Sequence, residues 1–108
     1  MIPDAAAETA ALIANLWERQ LPSLHERLDI LDRIATASLE GPLIKGDCDQ
    51  AIAISHKFAG SLGMYGYHRG SEVAMQMEHL LRSDEPLDPS TLISLTYQLR
   101  ESIFPTIR

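Results

Sequence analysis

Residues 47–66 read Asp-Cys-Asp-Gln-Ala-Ile-Ala-Ile-Ser-His-Lys-Phe-Ala-Gly-Ser-Leu-Gly-Met-Tyr-Gly. Within them Ala51, Ile54, Phe58 and Leu62 recur every three or four positions, the spacing of one apolar face of an α-helix. Asp47 is placed to cap that helix and Gly66 to end it. No segment of useful length alternates with a period of two, so no strand is expected.

The same spacing extends in both directions. Upstream, Leu24, Leu28, Leu31, Ala35 and Leu39 form a stripe widened by Ile30 and Ile34, and Gly41-Pro42 stops it. Residues 41–46 read as a loop. Further upstream, Pro3-Asp4-Ala5-Ala6-Ala7-Glu8 suits a helix start, and Ile13, Leu16 and Trp17 continue it. Pro22 then either begins a new helix or kinks a long one, because it cannot donate to the preceding turn. Downstream, a helix over roughly 69–82 turns Val73, Met77, Leu80 and Leu81 inward. Ser83-Asp84-Glu85-Pro86 forms a turn, and Asp88-Pro89 places a capping carboxylate before a proline in the first helical position. Leu92, Leu95, Leu99 and Ile103 follow, with Pro105 ending the run. The expected architecture is all-α. A single domain over residues 1–108 forms an antiparallel up-and-down four-helix bundle with an additional N-terminal helix or helix extension.

Composition narrows the function classes. The chain has 108 residues, 45% hydrophobic and 22% charged, enough apolar surface for one packed core. Its net charge of −6, with no basic block, disfavours nucleic acid and anionic membrane surfaces. Apolar runs are too short to cross a membrane, and Met1-Ile2-Pro3-Asp4 lacks the pattern of a secretory signal. The single cysteine, Cys48, fits a reducing compartment, so the cytoplasm is expected.

His56 carries the chemical interest. On a helical wheel it falls opposite the apolar face, with Ile52, Ala53, Gly60 and Gly63 around it. Two glycines inside a helix cost about 1 kcal/mol each relative to alanine. Close approach of something to the helix surface beside His56 would explain them. Neutral imidazole is nucleophilic near neutral pH and can carry a phosphoryl group. Other chemistries fare worse. Asp47-Cys48-Asp49 near His56 would hold a metal only weakly, so no metal site is expected. The run Gly60, Gly63, Gly66 sits late in a helix rather than after a strand, which fails the context of a nucleotide loop. His25, His68 and His79 have no evident triad partners, and Met64, Met75 and Met77 read as core filler.

The segment Ile54–Tyr67, with its His-x-apolar-x-Gly-Ser pattern, then glycines and an aromatic, then Met77-Glu78-His79-Leu80-Leu81, resembles the histidine-containing phosphotransfer (HPt) domain. The likeness is carried by residues 50–82, and helical periodicity extends it over nearly the whole chain. The wording His-Lys-Phe-Ala-Gly-Ser-Leu-Gly is closest to HPt modules attached to, or serving, bacterial hybrid signalling proteins.

The resemblance implies that His56 is the phosphoacceptor, exchanging phosphate with an aspartate of a response-regulator receiver domain, with a hybrid sensor histidine kinase as a further partner. It implies a phosphocarrier with no kinase activity of its own. No cofactor is expected in this domain; Mg²⁺, an acidic cluster and a lysine belong to the receiver. Gly60 would leave room for the phosphohistidine, and Glu78 would hold one imidazole nitrogen from the next helix. Ile52, Ala53, Ala59, Gly60, Gly63 and Met64 would form the docking surface, with Arg69 beside it. One departure stands out: Ala59 lies where many relatives carry a lysine or arginine, leaving Lys57 or Arg69 as substitute cations. Two other readings remain open at this point. One is an HPt-like scaffold that docks a partner without being phosphorylated; the other is a metal-binding bundle using His56 with Asp49 or Cys48.

Overall fold

A computed structural model describes residues 5–105, and every regular element among them is helical. The helices are α1 (Ala5–Ala37), α2 (Lys45–Met64), α3 (His68–Arg82) and α4 (Pro89–Ile103). Packing runs α1 on α2, α2 on α3, α3 on α4 and α4 on α1, which closes a four-helix ring. Leu24, Leu28, Leu31 and Ile34 of α1 meet Ile54, Phe58 and Leu62 of α2, Val73 and Met77 of α3, and Leu92 and Leu99 of α4 in one buried cluster.

The ambiguity at Pro22 resolves as one continuous helix of 33 residues. Proline there leaves the Glu18 carbonyl without its helical donor, but both residues are exposed, so water can take the missing bond. At 1.5 Å per residue α1 is about 50 Å long, far longer than its neighbours. Its fully buried residues begin only at Leu24. The preceding half is an extension whose Leu12, Ile13 and Leu16 are exposed. Trp17 anchors its base by stacking on Tyr67 with ring centroids 4.6 Å apart and leaning on Tyr65. Gln20 adds a hydrogen bond to the Tyr65 hydroxyl. The proposed starts at residues 3 and 4 lie outside the described residues.

Several local expectations change. Leu39 does not continue the α1 stripe. The helix ends at Ala37, a tight turn follows, and Leu39 is exposed while Ser38 takes the buried position and bonds the Ala35 carbonyl. Asp47 does not cap α2: the helix opens two residues earlier, with Ile44 extended at its start and the Cys48 N–H bonding the Ile44 carbonyl. Asp47 instead lies in the first turn, where its charge suits the helix dipole, and faces Arg33 at 3.6 Å. Of the three methionines read as core, only Met77 is buried; Met64 and Met75 are exposed.

The ends of the other helices follow the sequence signals. Gly66 adopts φ +88°, a left-handed conformation that glycine tolerates, and turns the chain from α2 into α3. Asp88 caps α4, accepting from the Ser90 N–H and from the Thr91 hydroxyl at 2.7 Å. Those bonds from Thr91 and Ser90 hold the Asp88 carboxyl below its usual range. Arg100 ties α4 to α1 through Asp29 and Asp32, at 2.9 and 2.6 Å.

Candidate functional site: a histidine on the seam between α2 and α3

The antiparallel contact of α2 with α3 sets the register of the site. His56 faces Glu78, and seven residues along each helix, in opposite directions, Gly63 faces Ser71. Seven residues are close to two helical turns, so both pairs lie on one seam. The face of His56 is therefore not simply opposite the core, as a lone wheel suggests. It is the solvent edge of an interhelical contact. The Ser71 hydroxyl closes the middle of the seam by donating to the Ala59 carbonyl.

The His56 side chain is 74% exposed, while that of Glu78 is only 19% exposed. Nδ1 of the imidazole lies 3.0 and 3.2 Å from the two carboxylate oxygens of Glu78. Arg82 Nε donates to the same carboxylate at 2.9 Å, one turn further along α3. The hydrogen bond from Arg82, then that from His56, holds the Glu78 carboxyl below the ordinary carboxylate range. An ionised carboxylate only accepts hydrogen bonds. Nδ1 must therefore carry the proton and donate it, which leaves the lone pair of the neutral ring on Nε2. The arrangement offers a nucleophilic nitrogen on an exposed ring, with a negative charge behind it to stabilise positive charge developing on the imidazole.

The other residues singled out from sequence divide into groups. At Gly60 an added Cβ would meet nothing within 4 Å, and Ala53, Lys57 and Met64 are also exposed. Ile52 and Ala59 are half-buried against the core. Gly63 is not an open position: a Cβ there would lie 3.4 Å from the Ser71 hydroxyl, so this glycine faces α3 and not open solvent. Arg69 is committed elsewhere, donating to Gln98 on α4 at 3.0 Å. It stands nine residues before Glu78, about 13 Å along α3. Sequence reasoning missed Arg82, although the i, i+4 spacing from Glu78 is a known pairing signal. It also missed Gly70, where a Cβ would press on Ser102 at 2.8 Å and Leu62 at 3.0 Å.

The metal-binding reading finds no ligand set. Among the described residues no group of three or more His, Cys, Asp or Glu side chains could hold an ion. Asp49 pairs with Lys45, and the Cys48 thiol points to the Leu81 carbonyl. No described helix is long and apolar enough to cross a membrane.

The site is thus an exposed histidine, oriented by a carboxylate from the next helix of a four-helix ring. The chain belongs to the Hpt domain family, whose model matches residues 15–103. Histidine phosphotransfer in two-component signalling is the activity that goes with that family. The chain is also similar to Protein RcaC of Microchaete diplosiphon, 30% identical over 90 residues. That match covers 82% of this chain and 14% of the relative's length. No solved structure matches.

Proposed function

We propose that His56 is the phosphoacceptor and that Nε2 is the reacting atom. The observation that carries this is the Nδ1–Glu78 hydrogen bond, which leaves Nε2 free on an exposed ring. The Nε2 lone pair attacks the phosphorus of an aspartyl phosphate on a receiver domain. The N–P bond forms as the P–O bond to the aspartate breaks, and that electron pair leaves with the carboxylate. No proton leaves Nε2, because it holds none. The ring gains positive charge with Nδ1–H still donating to Glu78, and the reverse sequence returns the phosphoryl group.

The remaining work belongs to the partner. In-line geometry and neutralisation of the moving group would come from the receiver's acidic cluster, its Mg²⁺ and its lysine. This domain supplies a nucleophile on a rigid helix and an open surface at Ala53, Gly60 and Met64. A receiver domain is the proposed partner, with a hybrid sensor kinase as a second, and the cytoplasm is the proposed location.

The test is incubation with a phosphorylated receiver beside a His56→Gln control. The expected label moves to this chain, survives base, is lost in acid and is absent from the variant. Label retained by His56→Gln would move the site elsewhere. Ala59, which puts no cation one turn from His56, favours a second reading as a docking scaffold. Binding to a receiver without any transfer would establish that reading instead.

A further inference from the structure

Glu78 creates an electrostatic difficulty for the chemistry just described. Its carboxylate, bonded to Nδ1, holds His56 in the useful tautomer, but it also places a negative charge on one side of the ring whose other nitrogen, Nε2, must meet a phosphoryl group. A phosphoryl group carries nearly two negative charges at neutral pH. Ala59 is uncharged, Arg69 is held to Gln98 on α4 about 13 Å away along α3, and Lys57, exposed next to His56, does not pair with the carboxylate. Arg82 does have the geometry to offset that charge. Its Nε sits 2.9 Å from Glu78 Oε2, while Oε1 of the same carboxylate lies 3.0 Å from His56 Nδ1.

We infer that Arg82 is a positioning residue for phosphotransfer: bound to Glu78, it makes a net-neutral acceptor for the His56 Nδ1–H. The inference rests on the phosphocarrier reading, and two consequences follow from it. The first is orientational. A glutamate side chain has three rotatable bonds, and the Arg82 bond fixes where its carboxylate points, so the ring is held with Nε2 outward. The second is electrostatic. The guanidinium cancels most of the Glu78 field felt by an incoming dianion, because the two charges are in contact and the phosphoryl group is further away.

An exposed i, i+4 ion pair on a helix would ordinarily be a minor feature. Its double use separates this one from that case: the carboxylate that Arg82 engages is simultaneously committed to the imidazole. A carboxylate needs the counter-charge, whereas a neutral side-chain amide at the same position would accept the Nδ1–H without one. The two residues should therefore be energetically coupled in transfer.

Three proteins test this: Arg82→Gln, Glu78→Gln and the double variant, beside wild type. In free protein, nitrogen NMR of His56, recorded where the ring is neutral, reads which nitrogen carries the proton. Wild type should show Nδ1–H, and Arg82→Gln should show a reduced Nδ1–H fraction as the carboxylate loosens. In transfer assays from a phosphorylated receiver, Arg82→Gln should slow the maximal rate about tenfold, the lower end of what loss of an outer hydrogen-bonding partner costs a metal-bound imidazole. The receiver concentration giving half-maximal rate should stay within about twofold, because Arg82 holds the imidazole rather than the partner. The double variant should transfer faster than Arg82→Gln alone, since an amide at residue 78 no longer needs the cation.

An unchanged tautomer or an unchanged rate in Arg82→Gln would overturn the inference. So would a double variant no faster than Arg82→Gln, which would reduce the pair to a helix-surface contact. If wild type itself takes no label from any receiver, the phosphocarrier reading fails. The NMR arm would still decide whether Arg82 governs the imidazole.

Discussion

Gly60 and Gly70 stand on neighbouring helices, and the missing side chain does opposite work at each. At Gly60, on the open face of α2 one turn from His56, a Cβ would meet nothing within 4 Å. At Gly70, buried in α3, a Cβ would lie 2.8 Å from the Ser102 hydroxyl and 3.0 Å from a Leu62 methyl. The fold needs the second glycine because α2, α3 and α4 come together there. The fold does not need the first, and in an exposed helix it costs about 1 kcal/mol relative to alanine. A glycine that packing does not require, next to an exposed nucleophile, points to something that approaches from outside.

The comparison can be broken most decisively with leucine at both positions. Gly70→Leu should destabilise the domain by about 3 kcal/mol, the upper range for overpacking a filled interior, as read by chemical denaturation. Gly60→Leu should leave the denaturation midpoint unchanged or slightly raised. It should nevertheless slow phosphoryl transfer from a receiver about a hundredfold, equivalent to about 2.7 kcal/mol in the barrier. A Gly60→Leu protein that transfers normally would show that nothing docks against this part of α2. A smaller substitution sharpens the other half. Gly70→Ala should cost about 1 kcal/mol, steric strain partly offset by alanine's helix propensity. Adding Ser102→Ala should recover most of that loss, because it removes the nearer of the two atoms in the way.

Much of this arrangement is legible in the sequence, for identifiable reasons. The stripes from Leu24, Ala51, Val73 and Leu92 onward place the four helices because apolar spacing is periodic and local. Asp88-Pro89 and Gly66 mark helix ends because their backbone chemistry is local too. What stays hidden is what depends on two helices at once. A wheel for α2 alone turns His56 and Gly63 away from the core, but it cannot show that α3 lies along their edge. The wheel therefore assigns both glycines to one open surface, when Gly63 meets Ser71 and only Gly60 is open. Arg69 illustrates the same limit: its nearness to the site in sequence does not survive the packing of α4, whose Gln98 binds it. Arg82 went unnoticed because its role passes through Glu78, and only the bond between α2 and α3 gives that pair a purpose. Pro22 is ambiguous because the cost of an interior proline depends on whether water can reach the orphaned carbonyl, and only the fold shows that Glu18 and Pro22 lie on an exposed stretch of α1.

The smallest expected effects complete the series, and they fix the sign of the argument. Gly60→Ala should stabilise the domain by about 0.5–1 kcal/mol, since alanine gains helix propensity and its methyl group meets open space. Gly63→Ala should change stability by less than about 0.5 kcal/mol. It has the same propensity gain, but its methyl group would sit 3.4 Å from the Ser71 hydroxyl, and that hydroxyl cannot swing away without weakening its bond to the Ala59 carbonyl. Thermal or denaturant melts of the two variants beside wild type check the order. If Gly63→Ala proves as stabilising as Gly60→Ala, the α2–α3 seam yields at no cost there, and Gly63 rejoins the open surface around His56. If Gly60→Ala destabilises instead, some part of the fold fills the space beside His56, and the reason for expecting a docking partner at that position is gone.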